Sequence, residues 1–198
     1  MLLDTAMAGF LPRAFEGEFE QIKESIHSGT GKDKKMLKSS IIIKYEHPGQ
    51  IYFKDLETKT LYICNTKNVY KYDPPMIEGE EGFLSIGDSN KFCYSKIFDS
   101  LKSGLKSNKN YTVKNIKNNN YELMFHKSAQ SSLGFSKIII NFSDKSLEFK
   151  KIKSLEMHLV GQEKPVKLVA KSIKYEKGFS KDIFNFEPPA KTTIEKME

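Results

Sequence analysis

The chain has 198 residues, enough for one domain with a substantial core, and we expect a single domain over residues 1–198. Charged residues make up 29% and the net charge is +7, yet Arg13 is the only arginine among 32 basic residues. Nucleic-acid sites depend on the planar fork of arginine, so we expect no nucleic-acid partner. We interpret the charge as a solvated lysine-rich surface, with a face for anionic membranes or acidic partners as the alternative.

The first periodic segment predicts a short helix. Residues 2–11 place Leu3, Met7 and Phe10 at helical spacing and are followed by Pro12, which cannot continue a helix. The segment lacks the basic start and the uninterrupted apolar stretch of a secretory signal. The protein is therefore either cytosolic or a mature form whose signal is absent.

Residues 14–22, AFEGEFEQI, fit two periodicities. Phe15 and Phe19 fall at helical spacing, whereas Glu16, Glu18 and Glu20 occupy every second position, as in a strand. A helix would scatter these glutamates around its circumference, so we predict a strand with an acidic solvent face and with Phe15, Phe19 and Gln21 pointing inward. Gly17 lies between the two phenylalanines and suits a strand that bends sharply.

Motifs that would indicate an enzyme are incomplete. Residues 28–32, SGTGK, match part of a phosphate-binding loop, but Ile26 replaces its first glycine and Asp33 follows its lysine, so a hairpin tip is the better interpretation. The four histidines have no ligand spacing with one another or with a cysteine pair, and the acidic residues single out no catalytic pair. We therefore expect no enzymatic activity, no metal and no cofactor.

The middle of the chain alternates in a way that is typical of hairpins. Residues 61–64 and 69–72 flank the turn Asn65-Thr66-Lys67-Asn68. A two-residue loop at this turn pairs Ile63 with Tyr70 and places Tyr72 on the same side. We interpret that side as the apolar, buried one and the other, which carries a lysine at position 71, as facing water.

Later segments extend the same pattern and add a second helix. Residues 89–103 place Phe92, Ile97, Phe98 and Leu101 on one face, after Asp88 as N-cap and before Gly104. Further strands are predicted at 111–113, 121–125, 136–142, 147–152, 154–160 and 166–176. The count of ten or eleven antiparallel strands with two or three short helices predicts a barrel or half-barrel with an apolar concave side that must be covered.

The sequence is compatible with two oxidation states of its two cysteines, Cys64 and Cys93. They form one disulfide in an oxidising compartment, or they are buried free thiols. Composition alone does not choose between these states.

Four stretches, in order through nearly the whole chain, resemble the signatures of the periplasmic outer-membrane lipoprotein carrier (LolA) family. They are Phe15-x-Gly17-x-Phe19-x-Gln21, YEHPGQIYF at 45–53, VYKYDP at 69–74 and Phe184-x-Phe186-x-Pro188-Pro189. The resemblance implies a mainly β fold, an unclosed antiparallel barrel capped by helices, whose apolar cavity shelters the acyl chains of lipoproteins that cross the periplasm.

The resemblance also implies partners and a location. The expected location is the periplasm, reached by means of a cleaved signal, and the expected state is a monomer. The expected partners are acylated lipoproteins as cargo, an inner-membrane lipoprotein-releasing ABC transporter as donor and, where one exists, an outer-membrane acceptor. Two alternatives stay open. One is a carrier or sensor of other lipids or apolar ligands, and the other is a membrane-anchored acceptor of the same superfamily. The acceptor would need a lipidated cysteine at its mature amino terminus, whereas the first cysteine here is Cys64.

The predicted acyl cavity lies beneath the 89–103 helix, and its alternative is the core of a filled barrel. Its predicted lining residues are Phe19, Ile43, Ile51, Phe53, Ile63, Tyr70, Tyr72, Phe92 and Phe98. The family usually has arginine immediately before Pro48, where it holds a helical lid shut, but here that residue is His47. A neutral imidazole donates one hydrogen bond and an ordinary one titrates near pH 6.5, so the latch is weaker, pH-sensitive or moved elsewhere. We predict that His47 is this latch and lies at the barrel rim near a helical segment, in or beside residues 2–11 or 89–103.

Overall fold

The computed structural model describes residues 10–26, 34–102 and 104–197, in which twelve strands form one sheet. The strands are β1 Ala14–Ile26, β2 Lys34–Glu46, β3 Gln50–Asp55, β4 Leu61–Cys64, β5 Asn68–Asp73, β6 Gly82–Asp88, β7 Tyr111–Lys117, β8 Asn120–Phe125, β9 Phe135–Phe142, β10 Ile152–Leu159, β11 Val166–Glu176 and β12 Thr192–Lys196. The helices are α1 Ser89–Phe92, α2 Ser95–Leu101 and α3 Lys127–Leu133, with 3-10 turns at Phe149–Lys151 and Lys181–Phe184.

The sheet is open, as predicted. Its order is β12-β6-β5-β4-β3-β2-β1-β11-β10-β9-β8-β7, so β12 and β7 are edges that do not pair with each other. All neighbouring pairs are antiparallel except β12 with β6. β12 lies in a segment where no strand was predicted, whereas the strand predicted at 147–152 is wrong, since Phe149–Lys151 form a 3-10 turn that leads into β10.

β1 confirms that AFEGEFEQI is a strand. Phe15 and Phe19 are 0% and 1% exposed on the concave side, whereas Glu18 is exposed and points away from the core. A Cβ atom at Gly17 would lie 2.4 Å from the Phe19 ring, so the ring occupies the space that a side chain there would need. The pairing of β1 with β11 shifts register between Glu18 and Phe19, where Lys171 is an extra, unpaired residue of β11. The bend predicted at Gly17 stays a prediction.

The predicted 89–103 helix is two shorter helices. Asp88 is the N-cap of α1 and accepts the Asn90 N–H at 2.8 Å, as expected. Cys93 then has extended backbone and a disulfide bond to Cys64 in β4, so the chain cannot continue as one helix through this position. The helix predicted at 2–11 lies almost entirely outside the described residues.

The concave side of the sheet holds a continuous buried cluster. Its members come from nearly all strands and from α2, and include Phe15, Tyr45, Phe98, Tyr111, Leu123, Ile140 and Phe149. Phe98 of α2 packs with its ring centroid 5.3 Å from those of both Phe15 and Tyr45. The helical segment at residues 89–101, which we call the roof, is thereby attached to one half of the sheet.

Candidate functional site

A cavity of about 990 Å³ lies between the concave side of the sheet and the roof. One wall comes from β2 and β3, another from the roof, and a third from the strands on the far side of β1. The apolar residues that line it include Ile43, Ile51, Phe53, Phe92, Ile97, Phe98, Phe135, Met157, Val166 and Leu168. The volume is at the upper end of the range of small-molecule sites.

Five of the nine predicted lining residues reach this cavity. Ile43 of β2 lies directly opposite Phe53 of β3, and Ile51 precedes Phe53 by two residues on the same face. Phe92 and Phe98 reach the cavity from the roof. Phe19 does not line it; it is 1% exposed, and its ring lies over Gly17 of the same strand.

The other three predicted residues lie on the opposite face of the sheet. The hairpin register is as predicted, with Ile63 opposite Tyr70, but these residues and Tyr72 point to the convex side. Phe186 covers that side, with its ring centroid 6.2 Å from Tyr70 and 5.1 Å from Tyr72. The assignment failed because alternation shows that a strand has two different faces but not which face looks into the barrel.

Tyr62, on the face that we interpreted as wet, connects the sheet to the roof. Its hydroxyl donates to the Phe92 carbonyl at 2.5 Å and accepts the Tyr94 N–H at 3.0 Å, and its ring stacks on Tyr94 at 5.0 Å. Burial raises the pKa of the Tyr62 phenol, so its O–H stays a donor at physiological pH. Tyrosine next to lysine in a hairpin is typical of a solvent face, which is why the sequence did not reveal this residue.

A disulfide fastens the amino-terminal half of the roof covalently. Cys64 at the end of β4 is bonded to Cys93, and their Cα atoms are 5.9 Å apart. The bond lies one residue beyond α1, so this end of the roof is tied to the sheet both covalently and through Tyr62.

The carboxylate of Asp99 holds the carboxyl-terminal half of the roof. Its Oδ1 accepts the Tyr45 hydroxyl at 2.6 Å and lies 2.8 Å from His47 Nδ1, with the Gly49 N–H at 3.4 Å. Burial, and then the hydrogen bond to Asp99, raise the pKa of Tyr45, so this phenol also remains a donor. His47 and Asp99 keep 31% and 27% of their side chains exposed, which places the contact at the rim.

The structure thus places His47 at the rim and against the roof, where the latch was predicted. Its role as a latch stays a prediction. Sequence reasoning missed Asp99 and Tyr45, since nothing in a helical aspartate distinguishes one that meets a distant rim from one that faces water.

Among the described residues, no helix is long and apolar enough to cross a membrane, and no group of three or more potential ligands is placed to hold a metal ion.

The cavity is also lined by polar residues, which include Gln21, Lys23, Asp55, Tyr62, Lys71 and Asp73. Lys23 and Lys71 are exposed, so this polar set extends out to the solvent. The site is therefore a roofed apolar chamber with a polar margin.

No protein-family model and no curated protein sequence matches the chain. It is similar to the crystal structure of an uncharacterised conserved protein from Thermus thermophilus, with 9% identity, 94% and 93% of the two chains covered and a TM-score of 0.50. It is also similar to a LolA superfamily protein from Nitrosomonas europaea, with 10% identity, 88% and 91% covered and a TM-score of 0.43. A putative outer membrane lipoprotein-sorting protein domain from Vibrio parahaemolyticus has 10% identity, 87% and 89% covered and a TM-score of 0.39. The likeness to the Thermus protein shows a fold shared over nearly all of both chains.

Proposed function

We propose that the protein is a periplasmic carrier that shelters the acyl chains of lipoproteins and moves them from the inner to the outer membrane. The observation that carries this proposal is the roofed apolar chamber of about 990 Å³. Four sequence stretches that resemble the lipoprotein carrier family support it, since two of them, 14–22 and 45–53, supply strands around that chamber.

The energetics of such a cargo define what partners must do. Each sheltered CH₂ group gains about 0.8 kcal/mol relative to water, but the donor bilayer offers the same gain. Extraction is then nearly neutral, so the carrier needs a protein that drives release from the inner membrane. We infer an inner-membrane lipoprotein-releasing ABC transporter for this step and an acceptor at the outer membrane for delivery.

In this proposal the roof is the moving part, and the protein performs no chemical reaction. The disulfide at Cys93 restrains one end, while the other end depends on Phe98 packing and on the polar contacts of Asp99. Breaking a few hydrogen bonds costs far less than breaking a covalent bond, so the roof opens from its Asp99 end.

The disulfide also supports the proposed location. Disulfides persist in oxidising compartments such as the bacterial periplasm and are rare in the cytosol of mesophiles. A Cys64–Cys93 bond therefore suits a protein that works outside the cytoplasm.

The test is binding of a fluorescent fatty-acid probe to two variants of neighbouring residues. Phe53→Glu puts a carboxylate into the cavity, whereas Tyr52→Glu puts it on the opposite face of the same strand, and both residues are half-buried. We expect Phe53→Glu to lose probe binding, because acyl chains cannot pair with a carboxylate, and Tyr52→Glu to keep it.

Native mass spectrometry of the gently purified wild type should show retained acyl cargo. A wild type that neither retains acyl compounds nor binds the probe, or a folded Phe53→Glu protein that binds like wild type, would contradict the proposed function.

A further inference from the structure

Gln21 is a mostly buried residue whose polar end opens into the cavity. It is 8% exposed and lines the cavity from β1, between Leu168 of β11 and Ser39 of β2. Its carboxamide makes no hydrogen bond to any residue that the structure describes, and its polar atoms are open to the cavity, since no buried side-chain N or O atom of the described residues lacks a partner.

A carboxamide that opens into an aqueous cavity is hydrated while no ligand is bound. It offers two N–H donors and one carbonyl acceptor, and a ligand that displaces this water without replacing its hydrogen bonds leaves those groups unpaired, which is unfavourable. Polar groups that become buried are paired in the large majority of cases. A ligand that fits this wall therefore carries a polar group opposite Gln21.

Its position along β1 indicates which part of a ligand it meets. On the concave face Phe19 is packed into the core, Gln21 follows at the cavity wall, and Lys23 comes next and is exposed. The strand therefore changes over five residues from apolar, through a neutral amide, to a charged group near the opening. An amphiphile whose chains lie under the roof and whose head lies at the opening has its linking group beside Gln21.

We propose that Gln21 binds the ester or amide carbonyl that joins an acyl chain to its cargo. A carboxamide N–H is a neutral donor that matches a neutral carbonyl, and its oxygen also accepts from the N–H of an amide-linked chain. A free fatty-acid carboxylate would instead favour an ammonium such as that of Lys23. This inference rests on the proposed carrier function and names the linkage, ester or amide, that the carrier recognises.

The experiment compares two glycerolipids that differ only at the linkage. Dioctanoylglycerol has ester carbonyls and dioctylglycerol has ethers, and both displace a fluorescent fatty-acid probe. We expect wild type to bind the ester about 3- to 10-fold more tightly than the ether, which is the usual size of one net hydrogen bond. Gln21→Met keeps the length of the side chain without its hydrogen bonds, so it should bind both lipids equally, at the wild-type affinity for the ether.

Two controls separate recognition from folding. Gln50→Met makes the same change in β3 at a residue outside the cavity lining, and it should keep the ester preference. The melting temperature of Gln21→Met should equal or exceed that of wild type, because no protein partner is lost. A lower melting temperature would assign Gln21 a structural role and overturn the inference.

The lipid comparison also separates this inference from the proposed function. Equal wild-type affinity for ester and ether, or an ester preference that survives in Gln21→Met, would overturn the role of Gln21 and leave the carrier intact. Failure of the wild type to bind either lipid would overturn both.

Discussion

The two faces of the sheet around β3, β4 and β5 both carry apolar side chains, yet they are covered in different ways. On the convex face Phe186 packs on Tyr70 and Tyr72, and the Asn65 side chain donates to the Phe184 carbonyl at 3.1 Å. On the concave face the roof spans the sheet, and a chamber remains beneath it.

The difference shows how one sheet can provide both stability and a site. The convex face is filled by the protein's own carboxyl-terminal segment, with Phe184 buried, so its apolar surface contributes to folding. The concave face is covered by two short helices that are held at their ends. Apolar surface that is roofed but not filled is available to a ligand, and four predictions examine this contrast.

The largest expected effect comes from placing a carboxylate on each face in turn. Ile51 and Ile63 are 4% and 3% exposed, on the concave and convex faces respectively. Ile63→Glu should destabilise the fold by about 4 kcal/mol, because its carboxylate has neither space nor a partner. Ile51→Glu should cost clearly less, since the chamber has room for water, but should abolish binding of the fatty-acid probe.

Urea unfolding and probe titration of both variants check this prediction. Equal destabilisation by the two substitutions would show that the concave face is filled as tightly as the convex one. Probe binding by a folded Ile51→Glu protein would contradict its place in the cavity lining.

The second prediction removes the covalent attachment of the roof. Cys64 and Cys93 are 29 positions apart, and a disulfide across a loop of that size stabilises by about 3.6 kcal/mol. The double variant Cys64→Ser/Cys93→Ser should lose about that much and should exchange amide hydrogens faster in the roof, but not in residues 179–186 of the convex cover. Thiol reduction of the wild type should reproduce both results, and unchanged exchange in the roof would show that the disulfide does not restrain it.

The third prediction concerns the other end of the roof. Asp99→Asn removes the charge from the acceptor shared by Tyr45 and His47. We expect the probe to dissociate about 10-fold faster, because the roof then loses a charge-assisted hydrogen bond that is partly exposed to solvent. His47→Arg should slow dissociation, because guanidinium offers more donors to the same carboxylate.

Stopped-flow displacement measures these rates, with Asp88→Asn as the matched control. Asp88 carries the same charge next to the same roof but acts as the N-cap of α1, where asparagine caps equally well. Dissociation rates that are the same in wild type, Asp99→Asn and His47→Arg would show that this contact does not hold the roof.

The smallest effect is expected at Asp55, in the turn at the margin of the chamber. Burial acts to raise the pKa of Asp55, but hydrogen bonds from Thr58, Ser39 and Glu57 outweigh it and lower the pKa below its ordinary value. A lowered carboxyl pKa stabilises the fold above about pH 4, and this contribution disappears as the pH falls through the folded-state pKa. Asp55→Asn should therefore cost about 1 kcal/mol at pH 7, with a difference that shrinks towards zero in acid.

Urea unfolding of wild type and Asp55→Asn at pH 7, 4 and 3 tests the sign. A stability difference that grows as the pH falls would contradict the lowered pKa. Probe affinity should stay unchanged at pH 7, because the turn supports the margin and not the apolar wall.

Much of the local structure is readable in the sequence because strand alternation and turn chemistry act over a few residues. The alternating glutamates of β1, the register of the hairpin between β4 and β5 and the Asp88 cap are all local features, and the structure confirms them. A barrel or half-barrel follows from many such hairpins in one chain, whereas its openness was implied by the resemblance to the lipoprotein carrier family.

Only the tertiary structure decided which apolar face is filled and which is left open. Ile63 and Tyr70 pair as predicted, but they face outward because Phe186, more than a hundred residues later, packs on that side and not on the other. The same holds for the bond between Cys64 and Cys93 and for the meeting of His47 with Asp99. Each of these contacts joins segments that are distant in sequence and meet only in the folded sheet. Short-range periodicity contains no information about such long-range contacts.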